Sequence, residues 1–365
     1  MTPGGPVTRK GTVTRGFAAT RGLSGAAGLI LPAAVLLLVA GAGLALGSVP
    51  LSPAALVASL RAGPLLEGGD ASRALERIIL FQIRIPRVCA AAGAGASLGL
   101  AGLLMQTVFR NPLAGPGVLG VSAGAGLGVA LVVLAGAGAH FAAPTVAAAA
   151  LGSALVISLM MVVHRMVGQP VVVLVLGLLF GYAASALTAV LMAASPAQGL
   201  EQYIHWSFGS FALPPGWQPP ALLAAALLTT VVLTVLAAPI DVLLLGSAYA
   251  ESSGVHAHRL QGLLLLCAGL LTALVTALTG PISFLGVAVP HLARGHLRTS
   301  SHRLLLPGVA LWGASVAVLA DLVSRLPGSD RILPLNAVLS VVGVPVVLLT
   351  ILRPSRDGGG PGVEL

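Results

Sequence analysis

Two arginines, Arg84 and Arg87, stand in the tetrapeptide Arg-Ile-Pro-Arg at the start of a long apolar run, and Arg325 ends another such run. A guanidinium group is planar and permanently charged, and its fork of N–H donors fits a carboxylate with two parallel hydrogen bonds. Three such groups held together would form a receptor for acidic side chains of a partner protein. The alternative for any single arginine is snorkelling, in which the side chain reaches the lipid headgroups from a helix end.

The composition places these arginines in a membrane protein. Of 365 residues, 57% are hydrophobic and only 8% are charged, whereas a soluble globular domain carries about 25% charged residues. The net charge of +9 does not indicate nucleic acid, because the basic residues flank apolar segments long enough to cross a membrane. We therefore expect membrane lipid, and no nucleic acid, around this chain.

Few residues are suited to covalent or metal chemistry. The single lysine is Lys10, so no glycine-rich segment contains the lysine that a P-loop needs to reach nucleotide phosphates. His291 has no second histidine at helical spacing and is interpreted as a capping residue rather than a metal ligand. Cys89 and Cys267 lie in apolar runs, as small buried side chains do. We expect no catalytic residue, metal or cofactor here, and any ATP must be hydrolysed by another chain.

Ten segments approach the length of about twenty apolar residues that a helix needs to cross a bilayer. They predict an all-α polytopic membrane protein with a ten-helix domain at 24–353, a basic N-terminal tail at 1–23 and a C-terminal tail at 354–365. The predicted spans are 24–47, 86–108, 116–137, 142–163, 170–193, 219–238, 259–279, 283–297, 304–324 and 333–352. The eighth span is short and contains Pro290.

The distribution of lysine and arginine predicts the orientation, because these residues collect on the cytoplasmic side. With both termini in the cytoplasm, twelve of the nineteen lie inside. The remaining seven lie outside: Arg61, Arg73, Arg77, Arg84, Arg87, Arg325 and Arg331. The segment 194–218 contains neither lysine nor arginine, which fits an outer loop. The three arginines at the outer ends of two spans run against the general bias, which favours a functional role for them.

Small residues predict a dense bundle with irregular helices. Ala91, Gly95 and Gly99 recur at the four-residue spacing that lets helix backbones approach each other in lipid. Proline and glycine cluster at 110–117, 279–286 and 288–295. Irregular backbone at membrane depth needs protein or a water-filled path to satisfy its polar groups. These segments are predicted to be broken helices beside a translocation route, with an ordinary turn as the alternative for the first.

Ionisable residues are scarce inside the predicted spans. Asp241, Asp321, His164 and His291 all fall near predicted helix ends. A proton-driven carrier would keep such groups near the middle of the membrane. The pattern therefore disfavours a secondary carrier, and the absence of a nucleophile with a nearby base disfavours a membrane enzyme.

The segments 84–128, 279–325 and 333–353 resemble the permease subunits of bacterial ABC importers for iron-siderophores, haem and vitamin B12, and the likeness extends from about 24 to 353. The resemblance implies the type II ABC importer permease fold in the bacterial inner membrane. It also implies a second permease subunit, identical or paralogous, two ATPase subunits that bind ATP and magnesium, and a periplasmic or lipid-anchored substrate-binding protein. Ferric siderophore is the expected cargo, with haem or vitamin B12 as alternatives.

The resemblance also implies roles for individual residues. The docking residues for glutamates of the binding protein are Arg84, Arg87 and Arg325. The segment 243–259 matches a pair of short helices that couple to the ATPase, and its residues are Leu245, Gly246, Glu251, Gly254 and Val255. The cytoplasmic gate residues are Asn111, Leu113 and, less directly, Gln169. The motif turns contain Pro112, Gly280, Pro281, Gly286, Pro290 and His291.

Four positions depart from the pattern of the family. Ser247 and Ala248 occupy the end of a motif that usually reads Leu-Gly-Glu-Glu, so the polar contacts of the coupling segment are left open. Ile332 and Asn336 stand where relatives carry a glutamate and a glycine. Any role of that glutamate therefore does not transfer to this chain.

Overall fold

The computed structural model describes residues 25–47, 51–64, 71–134, 142–325 and 333–352. The predicted tails at 1–23 and 354–365, and Ile332, lie outside the described residues. Within these ranges the secondary structure is entirely helical, as the composition predicted.

The α-helices are numbered in chain order. They are α1 (Ile30–Ala45), α2 (Pro53–Ala62), α3 (Ala71–Ile78), α4 (Ile85–Phe109), α5 (Val121–Val133), α6 (Ala142–Val167), α7 (Pro170–Ala193), α8 (Ala197–Ser207), α9 (Gln218–Val235), α10 (Ala237–Leu243), α11 (Ser247–Ser252), α12 (Ala257–Thr279), α13 (Leu285–Leu297), α14 (His302–Ser324) and α15 (Leu335–Leu352).

Each of the ten predicted spans overlaps at least one of these helices. Seven helical segments of the described chain are long and apolar enough to cross a membrane. The other three predicted spans hold the shorter helices α5 and α13, of 13 residues each, and α15, of 18 residues. The count of about ten is therefore approximate. The predicted sixth span ends earlier than expected, because the chain turns at Leu236 and starts the separate helix α10.

Helix α4 is the centre of the bundle. A π-helical turn, Ile79–Arg84, joins it to α3, so the chain is helical without a break from Ala71 to Phe109. Pro86 lies just after this π-helical turn, where the regular i→i−4 hydrogen-bond pattern that a proline would break is already interrupted. From Ala90 to Phe109 every residue of α4 is buried, against α14, α9, α12 and α13.

The helices around α4 approach at the glycines that the sequence singled out. A Cβ atom on Gly95 would overlap the carbonyl oxygen of Gly313 in α14, and a Cβ on Gly313 would overlap the carbonyl oxygen of Gly95. Gly99 packs against Val289 and Val309. The prediction of close backbone packing at this four-residue spacing is confirmed, since no larger side chain fits at the crossing with α14.

Several connections contain helices that the hydropathy pattern did not predict. The predicted outer loop at 194–218 contains α8, and the connection after α1 contains α2 and α3. These three helices are short, and their sequences are not continuously apolar. A search for membrane-spanning segments therefore passes over them.

Candidate functional site

The outer arginine cluster is built around a buried carboxylate. Nε of Arg87 donates to Oδ1 and Oδ2 of Asp321 at 2.9 and 3.0 Å, and Nη2 of Arg325 lies 3.0 Å from Oδ2. The Asp321 side chain is 3% exposed, and those of Arg87 and Arg325 are 13% and 15% exposed. Asp321 therefore holds both guanidinium groups in place.

Burial has the largest effect on the pKa of Arg325 in this cluster. Removal from water lowers the pKa of Arg325, the neighbouring carboxylate of Asp321 raises it, and the charge of Arg87 lowers it further. Two cations share one anion, so Arg87, Asp321 and Arg325 together retain a net positive charge. This charge and the exposed edges of both arginines suit the cluster to an additional carboxylate.

Arg84 occupies a different environment from the other two arginines. It is 3% exposed, and its Nη1 donates to the carbonyl oxygens of Leu44 and Ala45 at 2.5 and 2.9 Å. These carbonyls belong to the last turn of α1, where backbone acceptors lack partners and the helix dipole is negative. Gly47 provides the space, because a Cβ there would lie 2.8 Å from Nη2 of Arg84. The geometry thus assigns Arg84 a contact that anchors α1 to α4.

Arg77 makes the same kind of contact one helix further along. Its Nε and Nη2 donate to the carbonyl oxygen of Gly63, at 3.0 and 2.6 Å, at the C-terminal end of α2. Cations near a helix C-terminus are favourable because of the dipole. Two of the seven arginines predicted to lie outside are therefore bound to the ends of neighbouring helices.

The docking role of Arg84 stays a prediction. Its burial predicts a structural role as well, which a substitution can test. Replacement of Arg84 by methionine is expected to lower the melting temperature of the solubilised permease, because two charge-assisted hydrogen bonds worth about 1.5–3 kcal/mol each are lost. The control is Arg73→Met, at an exposed position of α3. An unchanged melting temperature with weakened binding-protein affinity would instead assign Arg84 to docking.

The predicted coupling segment, 243–259, lies at the opposite end of α14. It contains α11 and the start of α12, but only the last residue of α10, so the pair of short helices begins at Ala237, earlier than predicted. Leu245 and Glu251 are exposed. Gly246 and Gly254 have φ angles of 112° and 84°, which favour glycine at both turns. The backbone N–H of Val255 closes the second turn by donating to Ala250 at 2.9 Å.

An open cavity of about 390 Å³ lies beside the second turn and presents polar side chains. It is lined by Glu251, Gly254, His256, His258 and Arg259. Ser247 and Ala248, two of the residues that depart from the family pattern, precede these cavity residues in the chain. Ser247 accepts a hydrogen bond from Nε2 of Gln261 at 3.1 Å, and Ala248 is exposed.

The predicted gate residues lie at exposed turns. Asn111 and Leu113 belong to the turn after α4, where Oδ1 of Asn111 accepts from the backbone N–H of Leu113 at 2.9 Å. Gln169 is exposed and precedes α7. Nε2 of His291 lies 2.9 Å from the carbonyl oxygen of Pro112, so α13 is bound to the turn that carries the gate residues. The carbonyl belongs to a turn rather than to a helix end, so the capping role of His291 stays a prediction.

The segment between α12 and α13 is the predicted break in the helices. Gly280 has a φ of 76° and Phe284 a φ of 67°, and a Cβ on Gly280 would overlap the carbonyl oxygen of Trp206. Gly286 packs with equal closeness against Pro116. The prediction of a broken helix at 288–295 is wrong, because Pro290 and His291 lie inside the continuous helix α13.

Asn336, the residue that departs from the family pattern, satisfies the polar groups of this break. Its Nδ2 donates to the carbonyl oxygen of Pro281 at 2.8 Å, and its Oδ1 accepts from the backbone N–H of Ser283 at 3.0 Å. A protein side chain therefore satisfies the free backbone polar groups at this break, as irregular backbone inside a membrane requires. A glycine could make neither bond.

Sequence reasoning missed two carboxylate contacts that organise these sites. Asp321 lies four residues before Arg325, a helical pairing that was readable in the sequence, but its bond to Arg87 joins positions 234 residues apart. Asp241 pairs with His302, 61 residues away. In the described part of the chain, no group of three or more histidine, cysteine or acidic residues is arranged to hold a metal.

Comparisons with known proteins agree with this arrangement. The vitamin B12 import system permease protein BtuC of Salmonella paratyphi A is 34% identical over 290 residues, which cover 79% of this chain and 88% of that protein. Its counterpart from Citrobacter koseri is 34% identical over 305 residues, with 83% and 92% covered. A structure described as an inward-facing metal-chelate type ABC transporter has a TM-score of 0.76 and 26% identity, and the match covers 88% of this chain and 98% of that chain.

The family model of the FecCD transport family matches residues 33–353 of this chain. The match includes the residues predicted to dock the binding protein, to couple to the ATPase and to form the gate. The chain therefore belongs to the FecCD transport family and is a permease of an ABC importer.

Proposed function

We propose that this chain forms half of the membrane path of an ATP-driven importer for a metal chelate in the bacterial inner membrane. The observation that carries the proposal is the pair of short helices α10 and α11, which stands between two membrane helices and presents an open polar cavity. A carrier driven by an ion gradient needs no such docking surface. The second half of the path is a second permease subunit.

The partners are assigned to the two ends of α14. A substrate-binding protein places carboxylates against Arg87 and Arg325, whose exposed edges remain available beside Asp321. Two ATPase subunits, which bind ATP and magnesium, engage the coupling segment around Glu251 and Gly254 of this chain and of its partner permease. Both termini are cytoplasmic in this arrangement.

The mechanism is conformational and involves no covalent chemistry on this chain. Closure of the ATPase pair moves α10 and α11, and the membrane helices tilt so that the path opens alternately to each side. Asn111, Leu113 and Gln169 narrow the inner end of the path. A path with few strong binding groups favours release of a large cargo.

Ferric siderophore is the cargo predicted from the sequence. Cobalamin is the second candidate, since the curated relatives at 34% identity are named vitamin B12 permeases. Both are large metal chelates. The expected difference between them lies in the binding protein that delivers the cargo rather than in this chain.

Uptake by the reconstituted complex tests the proposal. Proteoliposomes containing the permease and its ATPase, with binding protein outside and ATP inside, are expected to accumulate a radiolabelled ferric siderophore or labelled cobalamin only when ATP is hydrolysed. An ATPase subunit with an inactivating substitution is the control. Accumulation by the permease alone on an ion gradient would contradict the proposal.

A further inference from the structure

The carboxylate of Asp241, in α10, binds the first residues of α14. Oδ1 of Asp241 accepts from the backbone N–H of His302 at 2.8 Å, and Oδ2 accepts from the hydroxyl of Ser301 at 3.0 Å. Ser301 occupies the N-cap position, yet its own side chain does not cap the helix. Asp241 therefore caps α14 from a different element, and its negative charge faces the positive end of the helix dipole.

The imidazole of His302 extends this contact to α4. Its Nδ1 lies 2.6 Å from Oδ1 of Asp241, and its Nε2 lies 2.9 Å from Oγ1 of Thr107. A carboxylate can only accept, so Nδ1 carries the proton that faces Asp241. The His302 side chain is 1% exposed and the Asp241 side chain is 33% exposed. One residue of the coupling region is thus bonded directly to α14 and, through one buried ring, to α4.

The same two helices are joined at their other ends. There Arg87 of α4 binds Asp321 of α14. Between the two contacts, the backbones meet at Gly95 and Gly313 without room for a side chain. The α4–α14 pair is therefore fixed at its outer end, its middle and its inner end, and it is expected to move as one body.

We propose that Asp241 is the positioning residue that transmits the movement of α10 and α11 to the α4–α14 pair. This inference rests on the proposed function and adds a specific residue to it. When the ATPase displaces α10, the bonds from Asp241 pull the inner end of α14 and, through His302, the inner end of α4. The outer arginine cluster belongs to the same body, so binding of a partner at that cluster shifts α10 in return.

The test compares transport with hydrolysis in the complete reconstituted complex. Asp241→Ala is expected to lower the amount of labelled cargo imported per ATP hydrolysed by about two- to thirtyfold, the range typical of residues that couple two sites. Asp241→Asn keeps an acceptor oxygen and is expected to fall between Asp241→Ala and the wild type. An unchanged ratio in Asp241→Ala would overturn the proposal.

The ratio separates transmission from a merely structural role. A destabilised permease would lose transport and stimulated hydrolysis together, in proportion to the complex lost, and the ratio would stay constant. Glu201→Ala removes a side chain that is 73% exposed, on α8, and serves as the matched carboxylate control. Wild-type uptake, measured in the same preparations, reports on the proposed function independently of any Asp241 variant.

His302→Gln tests whether Asp241 acts on α4 through the imidazole ring or by direct contact with the ATPase. The ring of His302 is buried, so it cannot contact another subunit. If Asp241 acts through this ring, His302→Gln is expected to lower the amount of cargo imported per ATP as well. The double variant Asp241→Asn with His302→Gln is then expected to lower this ratio by less than the two single effects combined. Full additivity, or a normal ratio in His302→Gln, would overturn transmission by this route.

Discussion

Reversal of charge at Arg87 and Arg325 together is expected to abolish uptake and to reduce the affinity for the binding protein by at least about a hundredfold. Truncation of one partner in a buried, hydrogen-bonded charge pair across an interface costs about 2–5 kcal/mol, and two pairs are removed here. The measurement is binding of the purified binding protein to the permease–ATPase complex in nanodiscs, together with uptake at equal expression.

The position of Asp321 determines which variants to compare. Glutamates at 87 and 325 would place three carboxylates together, and the 3% exposed Asp321 would lose both of its cations. The neutral pair Arg87→Gln and Arg325→Gln avoids that repulsion and is expected to weaken binding in the same direction. If the glutamine variant folds normally, as judged by its elution from size-exclusion chromatography, its loss of affinity is due to lost docking contacts and not to disruption of the fold.

Arg61→Glu is the matched control for this experiment. Arg61 is an exposed arginine in the last turn of α2, and it is predicted to lie on the same side of the membrane. Its reversal changes the charge of the surface by the same amount per residue without touching the cluster. Wild-type affinity in the double glutamate variant would show that the cluster only anchors helices. An equal loss in Arg61→Glu would show that the affinity depends on the overall charge of this surface rather than on the cluster.

The arrangement of helices was largely predictable from the sequence because the bilayer imposes a length on each span. The segment 170–193 was predicted to the residue, since Gly168 and Gln169 interrupt the apolar run before it and Pro170 starts the helix. The helices α5 and α13 are shorter than their predicted spans, because the glycine- and proline-rich turns before them use part of the apolar length. Apolar content alone does not reveal where a broken helix begins.

The contacts within the sites were less predictable, because they join distant positions. The sequence predicted which residue types form these sites and at which end of the bundle they lie. Arg84 ends the π-helical turn and binds the end of α1, whereas Arg87 lies in the first turn of α4 and binds Asp321. No local pattern encodes these partners, so the three arginines looked equivalent in the sequence.

Substitution of Gly95 by alanine is expected to destabilise the contact between α4 and α14. The new Cβ would overlap the carbonyl oxygen of Gly313, which is backbone and cannot rotate away. Overpacking typically costs about 1–3 kcal/mol. A lower melting temperature and a lower yield of the folded permease are therefore expected, and Gly95→Leu is expected to prevent assembly.

Gly41→Ala is the matched control, because a Cβ at that position of α1 would meet nothing within 4 Å. Alanine is favoured over glycine within a helix by about 1 kcal/mol, so this variant is expected to be neutral or more stable. Equal losses in Gly41→Ala and Gly95→Ala would show that glycine matters here for helix flexibility rather than for close packing.

The combined variant Gly95→Ala with Gly313→Ala tests whether the crossing is the cause. Each methyl group would push the same two backbones apart, and a pair already separated by the first has room for the second. The double variant is therefore expected to lose less stability than the sum of the single losses, whereas independent sites add to within about 0.5 kcal/mol. Because Gly95 and Gly313 lie between the outer cluster and the Asp241 contact, a separated pair should also import less cargo per ATP, even at temperatures where the permease remains folded.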